Sequence, residues 1–310
     1  MFKEYLKELL GSDFDSVWAS FFAPKKSGFF ITDKSAKKRI LEQFKGAKEL
    51  FDNFYIYDDK SALSHSEFFS AGQIYIQNPS SYLATLFLEL CMGDEFCDMC
   101  ASPGGKSIAL FSRFGSISGA AIEYDKSRFF TLRQNLEKYA LKGIRAYNKD
   151  ARSIAKTCAN RFDKIMLDAP CSSYSHFNEK FSEKSPKELK AIARLQKGLL
   201  NAALCALKDG AEMIYSTCTF FSAENEEVIE NALNSRFKLE ILPLDFEQFF
   251  SSQNASNTPK IMPRKYGVLI LPDELYSGFY ICKLRKVCQK EQAWLYPKAS
   301  LQGTALPPLF

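Results

Sequence analysis

Two short segments carry cysteine in the same setting. "DAPCSS", residues 168–173, follows the apolar run "FDKIML", and "YSTCTF", residues 215–220, closes the run "AEMI". In both, the thiol stands at the end of a stretch that reads as a buried strand, with hydroxyls beside it. A thiolate attacks an electron-poor carbon and also leaves it readily, so a strand-ending cysteine suits a reaction that passes through a reversible covalent bond. A free thiol, with a pKa of about 8.5, is only a few per cent ionised at neutral pH, so such a site has to favour the anion. The competing reading is structural. Free cysteine is a habitual small core residue, and most of the nine in this chain are expected to be buried hydrophobes.

A third segment, "CDMCASPGGKS" at 97–107, follows a strand and opens a helix. Open α/β sheets bind ligands at this position, beyond the carboxyl ends of their strands. Gly104 and Gly105 let the backbone approach a ligand closely, and a helix amino terminus attracts negative charge. The Gly-Lys-Ser ending suggests a triphosphate-binding loop, but that pattern needs glycine where Cys100 stands. Pro103 also removes an N–H that a phosphate cradle would use. An S-adenosylmethionine site fits better, with the glycines admitting the amino acid end of the cofactor. It requires a carboxylate at the end of the second strand to take both ribose hydroxyls, and Glu123 in "AAIEYDKSR" stands there. Asp150, ending "YNKD", comes next along the sheet, beside the adenine position. Each acid alone reads equally as a helix cap or turn residue; the ordered set carries the argument.

The elements that must hold these residues form a rhythm. "EFCDMC", "SISGAAIE", "IRAYNKD", "FDKIMLD" and "AEMIYSTCT" are short apolar runs separated by helical spacing over Ser127–Ala140 and Pro186–Leu207. Strands alternating with helices predict an α/β fold, a doubly wound, mostly parallel Rossmann-like sheet covered on both faces. "FKLEILPLD" and "SGFYICKLRK" add two late strands and an antiparallel edge. Residues 1–70 break the rhythm and read as a small α+β amino-terminal lobe. They hold the densest basic region, Lys25 to Lys48, either a solvated face or an RNA-binding surface whose cations meet phosphate while exposed aromatics stack on bases. The large domain spans 71–287, and 288–310 is a docked or frayed extension.

Composition agrees with this reading. The 310 residues, 46% hydrophobic, supply a large core, and a net charge of +5 tolerates a polyanionic partner. No apolar run reaches the roughly 18 residues of a membrane span. The opening "MFKEYLKELLGSDF" lacks the order of a secretory signal, so a cytoplasmic location with reduced thiols is expected. Cys97 and Cys100 form a lone C-x-x-C with no second pair, and His65 and His176 are the only histidines, so a metal centre or a hydrolase triad has little material.

Taken together, "DMCASPGGKS", "LDAPCSS", "YSTCTFFSAENEEV" and "GQIYIQNPSSYLA" resemble the Nop/Sun family of RNA cytosine-5 methyltransferases, across roughly residues 70–286. The resemblance implies that Cys218 is the nucleophile, adding to carbon 6 of cytosine so that carbon 5 can attack the cofactor methyl. Cys171 then assists release of the covalent intermediate. Cys100, Ala101, Ser102, Pro103, Gly104, Gly105, Lys106, Glu123, Asp150 and Asp168 are implied to contact S-adenosylmethionine. Lys106 and Asp168 also face the cytosine, and Arg128 supports the pocket. DNA cytosine methyltransferases attack from the earlier Pro-Cys thiol, whereas the later motif here points to the RNA type. The implied partner is structured RNA, ribosomal first and transfer second, met by a monomer with no metal. An RNA-binding assembly factor that keeps the fold without turnover is the rival, and the intact pair of thiols argues against it. Four departures from the family pattern stand out. Ser173 replaces a usual glycine, which points to another backbone path after Cys171. Asn78 and Ser277 replace common acids, and "APKKSGFF" lies where a Pro-x-Arg-x-Asn signature is usual.

Overall fold

Four short strands, β1 (Ser27–Ile31), β2 (Lys48–Phe51), β3 (Phe54–Tyr57) and β4 (Ile74–Ile76), form an antiparallel sheet in the order β2-β3-β1-β4. Alternation along β1 decides what each face buries. Phe29 and Ile31 pack with Ile40, Phe44 and Phe68 under the lobe's own helices. Phe30, on the opposite face, packs with Phe54, Tyr75, Tyr82 and Leu83, in a cluster that runs on into the large sheet. The lobe therefore shares a core with the rest of the chain, and its sheet reaches residue 76, past the boundary at 70 read from the sequence. The same packing takes six lobe aromatics, Phe29, Phe30, Phe44, Phe51, Phe54 and Tyr55, out of reach of a base, while Phe22 stays exposed. The computed structural model describes residues 1–115, 117–252 and 257–287; the extension expected at 288–310 lies outside the described residues.

The large sheet has nine strands. Its parallel part is β5 (Glu95–Met99), β6 (Ser118–Glu123), β7 (Ile144–Asn148), β8 (Phe162–Asp168) and β9 (Leu207–Thr217), matching the five runs read from the sequence. β10 (Leu239–Leu242), β11 (Ile261–Pro263), β12 (Val268–Ile270) and β13 (Phe279–Lys286) follow, giving the order β11-β12-β13-β9-β8-β5-β6-β7 with β10 also paired to β13. β13 runs antiparallel to β9. Helices cover both faces, so the middles of the central strands are mostly apolar and successive residues serve opposite cores, with Asp98 a buried exception on β5. Ile165, Leu167, Met213 and Tyr215 enter one cluster, while Met166 and Ile214 enter the other. The hairpin β11–β12 escaped the sequence reading because each strand is three residues long and one ends in proline.

Helices Phe2–Leu10 and Phe14–Ser20 do not join the small lobe. Phe2, Leu6 and Leu10 recur four residues apart and make one apolar stripe. The stripe packs into the large sheet's core, with the Phe2 ring centroid 4.5 Å from that of Tyr174 and 5.8 Å from that of Phe220. Both partners belong to the loops that leave β8 and β9. The Tyr5 hydroxyl ties the second loop down, donating to the Phe220 carbonyl at 3.1 Å and accepting from the Ser222 N–H at 3.0 Å.

Candidate active site

β8 and β9 are parallel neighbours with Asp168 opposite Ser216, so the loops that follow them start side by side. This brings residues 47 apart in sequence into contact: Cys171 Sγ and Cys218 Sγ lie 3.0 Å apart, both as free thiols. The Cys218 N–H also donates to Cys171 Sγ at 3.3 Å. Beneath them the two loops are locked by buried polar groups. Glu224 accepts from the Ser172 N–H at 2.9 Å and from Gln196 Nε2 at 3.0 Å, and Ser172 Oγ meets Thr219 Oγ1 at 2.9 Å. The two sulfurs are electrostatically unequal. The Cys218 thiol is held well below the ordinary range by its hydrogen bond with Cys171, and His176 and Ser173 add to this against the opposing effects of burial and Asp168. Cys171 is pushed well above that range by the same bond and by burial. Burial also pushes the Cys100 and Cys97 thiols up, so neither is favoured as a thiolate.

Asp168 ends β8 with both oxygens engaged. Oδ2 accepts from Lys106 Nζ at 2.7 Å, and Oδ1 accepts from Ser216 Oγ at 2.8 Å. Lys106 reaches this carboxylate from the first turn of helix Gly105–Phe114, donates also to Ser81 Oγ at 2.7 Å, and lies 5.3 Å from the centroid of the Phe279 ring. A buried ammonium so enclosed needs such partners. Asp98, on β5 below, is a residue the sequence reading passed over. Burial pushes its carboxyl up to about 7, with the Ser107 hydroxyl and the Lys106 charge opposing. Its Oδ2 accepts from Ser107 Oγ at 2.6 Å, while Oδ1 has no hydrogen-bond partner among the described residues.

The loop from β5 into that helix passes through positive φ at Cys100 (61°) and Gly104 (102°). A Cβ on Gly105 would lie 2.9 Å from Gln77 Nε2 and 3.0 Å from the Tyr75 ring, so a larger residue would have to push both side chains aside. Side chains from helix Lys126–Lys138 hold the loop in place. Arg128 Nη2 donates to the Ser102 carbonyl at 2.9 Å, and Asn135 Nδ2 donates to that of Pro103 at 2.7 Å. Glu123 ends β6 buried. Its Oε1 accepts from the Asp125 N–H at 2.9 Å, and its Oε2 has no hydrogen-bond partner among the described residues. Glu123, Arg128, Asp150 and Cys100 line a cavity of about 320 Å³. Cys100 also borders a second cavity of about 240 Å³, walled by Lys106, Asp168, Ser81, Tyr75 and Gln77. Asp150 is less available than its position suggests, because Arg152 holds it through contacts of 2.6–3.0 Å and lowers its pKa.

The departures from the family pattern fall in two places. Ser173 adopts a left-handed backbone, φ 60° and ψ 31°, of the kind that favours glycine. A non-glycine residue there costs about 1–2 kcal/mol, and its hydroxyl lies 3.5 Å from Cys218 Sγ and 3.9 Å from Cys171 Sγ. Asn78 and Ser277, 199 residues apart in sequence, meet each other. Asn78 Oδ1 caps helix Pro79–Leu86 and lies 3.4 Å from the Ser277 N–H, which also donates to Ser80 Oγ at 3.0 Å. Ser81 and His176 at the site carried no recognisable sequence signal, since both come from segments whose chemistry appears only once the loops meet.

The profile of the 16S rRNA methyltransferase RsmB/F family matches residues 85–285. Among relatives, the mitochondrial tRNA (cytosine(34)-C(5))-methyltransferase of Mus musculus is 33% identical over 229 residues, covering 70% of this chain and 65% of the relative. Ribosomal RNA small subunit methyltransferase F of Klebsiella pneumoniae is 31% identical over 239 residues, covering 74% and 48%. The chain thus spans about half to two thirds of the length of these relatives. In three dimensions, a methyltransferase homolog protein from Pyrococcus horikoshii superposes with a TM-score of 0.73 at 25% identity, covering 91% of this chain and 93% of that one. The NSun6 structure from the same organism gives 0.77 at 20% identity, covering 93% and 98%, and so agrees in fold. Because the matched segment takes in every strand of the large sheet and both thiol loops, the chain belongs to the 16S rRNA methyltransferase RsmB/F family.

Proposed function

We propose that this chain methylates carbon 5 of a cytosine in structured RNA, with Cys218 as the covalent nucleophile. The observation that carries this reading is the unequal thiol pair. Two free sulfurs 3.0 Å apart stand at adjacent strand ends beside the Lys106–Asp168 pair, with Cys218 biased toward the thiolate and Cys171 toward the thiol. Carbon 5 of cytosine is a poor nucleophile. Addition of Cys218 Sγ to carbon 6 turns the ring into an enamine, and transfer of the carbon 5 proton to solvent water after methylation expels the sulfur as thiolate. Cys171, kept neutral, hydrogen-bonds the departing Cys218 thiolate through its S–H and keeps that proton. Asp168, fixed by Lys106 and Ser216, meets the pyrimidine edge.

S-adenosylmethionine, when bound, supplies an electrophilic methyl group. The residues present fit it. Glu123 Oε2, which has no hydrogen-bond partner among the described residues and lies 3.6 Å from Arg128 Nη2, would take ribose hydroxyls, the loop from Cys100 to Lys106 would admit the amino acid end past its two glycines, and Arg128 braces that loop. Asp150 lies along the same wall, shared with Arg152. Exposed Lys34, Lys38, Lys45 and Lys48 of the small lobe meet phosphate. Ribosomal RNA is the first candidate and transfer RNA the second, since matched relatives bear both kinds of name. An extruded base costs a few kcal/mol, least when already unpaired, so loops and bulges are favoured. Purified protein given labelled cofactor and total RNA tests this. Acid-insoluble label is expected; RNA binding without label would instead indicate an assembly factor.

A further inference from the structure

Lys106 is held at two points, and only one of them is a carboxylate. Its Nζ donates to Asp168 Oδ2 and to Ser81 Oγ, each at 2.7 Å. An ammonium nitrogen carries three hydrogens on a flexible stem, so a single acceptor leaves it free to swing. Two fixed acceptors leave the third hydrogen one direction. Both acceptors here are fixed. Ser216 Oγ holds Asp168 from behind at 2.8 Å, and Gln77 Nε2 donates to the Ser81 oxygen at 3.0 Å. Ser81 stands in the first turn of helix Pro79–Leu86, whose start is tied down on two sides. The Gln77 N–H donates to the Gly28 carbonyl of β1 at 3.0 Å, and the Ser80 hydroxyl donates to the Ser277 carbonyl ahead of β13 at 2.7 Å. Lys106 has no third hydrogen-bond acceptor among the described residues, and Lys106, Ser81, Gln77 and Asp168 wall the 240 Å³ cavity together.

We propose that Ser81 is a positioning residue of this chain, acting through Lys106: it holds the ammonium so that the remaining N–H meets an acceptor on the pyrimidine edge. The proposal deepens the methyltransferase reading and rests on it for its substrate. The Asp168 side chain is 35% exposed while that of Lys106 is 8% exposed, so a base can reach the carboxylate but must find the ammonium already in place. Asp168 alone answers the charge of Lys106; it does not set the direction of the free hydrogen. Ser81 does, from a segment that joins the small lobe to the large sheet. A serine that only filled a helical turn could be exchanged for alanine, the better helix former, with no effect on Lys106. The proposal requires the opposite.

Ser81→Ala and Ser81→Thr, each in the full chain, test this by two measurements. The first needs no RNA: acetylation of Lys106 by acetic anhydride, read on its own peptide by mass spectrometry against the exposed Lys34. An ammonium bridged between two oxygens is shielded, so Ser81→Ala should label severalfold faster than the intact protein, and Ser81→Thr should label like it. The second is methyl transfer to RNA at saturating S-adenosylmethionine. Ser81→Ala should lower kcat about ten- to hundredfold, the effect of a reacting group displaced by about 1 Å, with the affinity for S-adenosylhomocysteine unchanged. Ser81→Thr, which keeps the oxygen, should recover most of the rate. Unchanged labelling in Ser81→Ala, an unchanged kcat, or a threonine variant as slow as the alanine each overturns the proposal. Faster labelling of Ser81→Ala in a protein that never methylates RNA supports the contact and removes the methyltransferase reading; methylation with both measurements unchanged keeps that reading and removes Ser81.

Discussion

At the scale of single residues, the account turns on two sulfurs of the same element doing opposite things. In the proposed mechanism Cys218 carries the bond to the base, while Cys171, pushed up by its bond with Cys218 and by burial, supplies the S–H hydrogen bond that eases release. Cys171→Ala should therefore still permit attack but slow departure. Denaturing gels of this variant with RNA and cofactor should show a retarded protein–RNA adduct, and turnover should fall by about 2–3 kcal/mol of barrier, the range for losing one hydrogen bond to a charged group. A variant that turns over like wild type, with no adduct, would take Cys171 out of the mechanism. Both thiols were legible in the sequence, because each closes an apolar run and carries distinctive flanking residues. Ser81 was not, since nothing in "NPSSY" announces a neighbour 25 residues away.

At the scale of elements, the sheet positions the site by bringing β8 and β9 together in parallel and then closing the edge with antiparallel β13. Glu212 fastens this change of direction. It sits on β9 across from Lys164 of β8 at 3.2 Å and from Lys283 and Arg285 of β13 at 3.1 and 2.7 Å. Partial burial opposes its charge, but Arg285, Lys283 and Lys164 outweigh it and hold the carboxyl down at about 2, against an ordinary 4.5. A depressed acid stabilises the fold above its unfolded pKa and loses that effect as pH falls through the folded one. Glu212→Gln should thus cost about 2 kcal/mol in urea unfolding at pH 7, less than the ~3–5 kcal/mol of a fully buried pair. The gap between variant and wild type should narrow on going to pH 3, and a gap that widens there would contradict the assignment. The five parallel strands could be read as short apolar runs between helical stretches because burial on both faces keeps most of their residues apolar. The β11–β12 hairpin and the reach of β4 to residue 76 could not, because strands of three residues carry no period and take their place from partners far along the chain.

At the scale of the whole molecule, one continuous core joins the small lobe to the large sheet, while the first two helices wedge beneath the catalytic loops instead of joining the lobe. The lobe's aromatics are spent on that core, so its surface offers cations. Lys34→Glu, Lys38→Glu and Lys45→Glu together should weaken RNA binding and lower the salt slope by about 2, since each phosphate contact contributes roughly 0.7–0.9; equal affinity and slope would place the RNA elsewhere. The central claim is that Cys218 bonds to the target base, and a cytosine fluorinated at carbon 5 tests it most directly, because fluorine cannot leave as the proton does and the adduct persists. With such RNA and S-adenosylmethionine, peptide sequencing should place the crosslink at Cys218, and Cys218→Ala should give none. A crosslink at Cys171, or one that survives in the Cys218→Ala protein, would contradict the account.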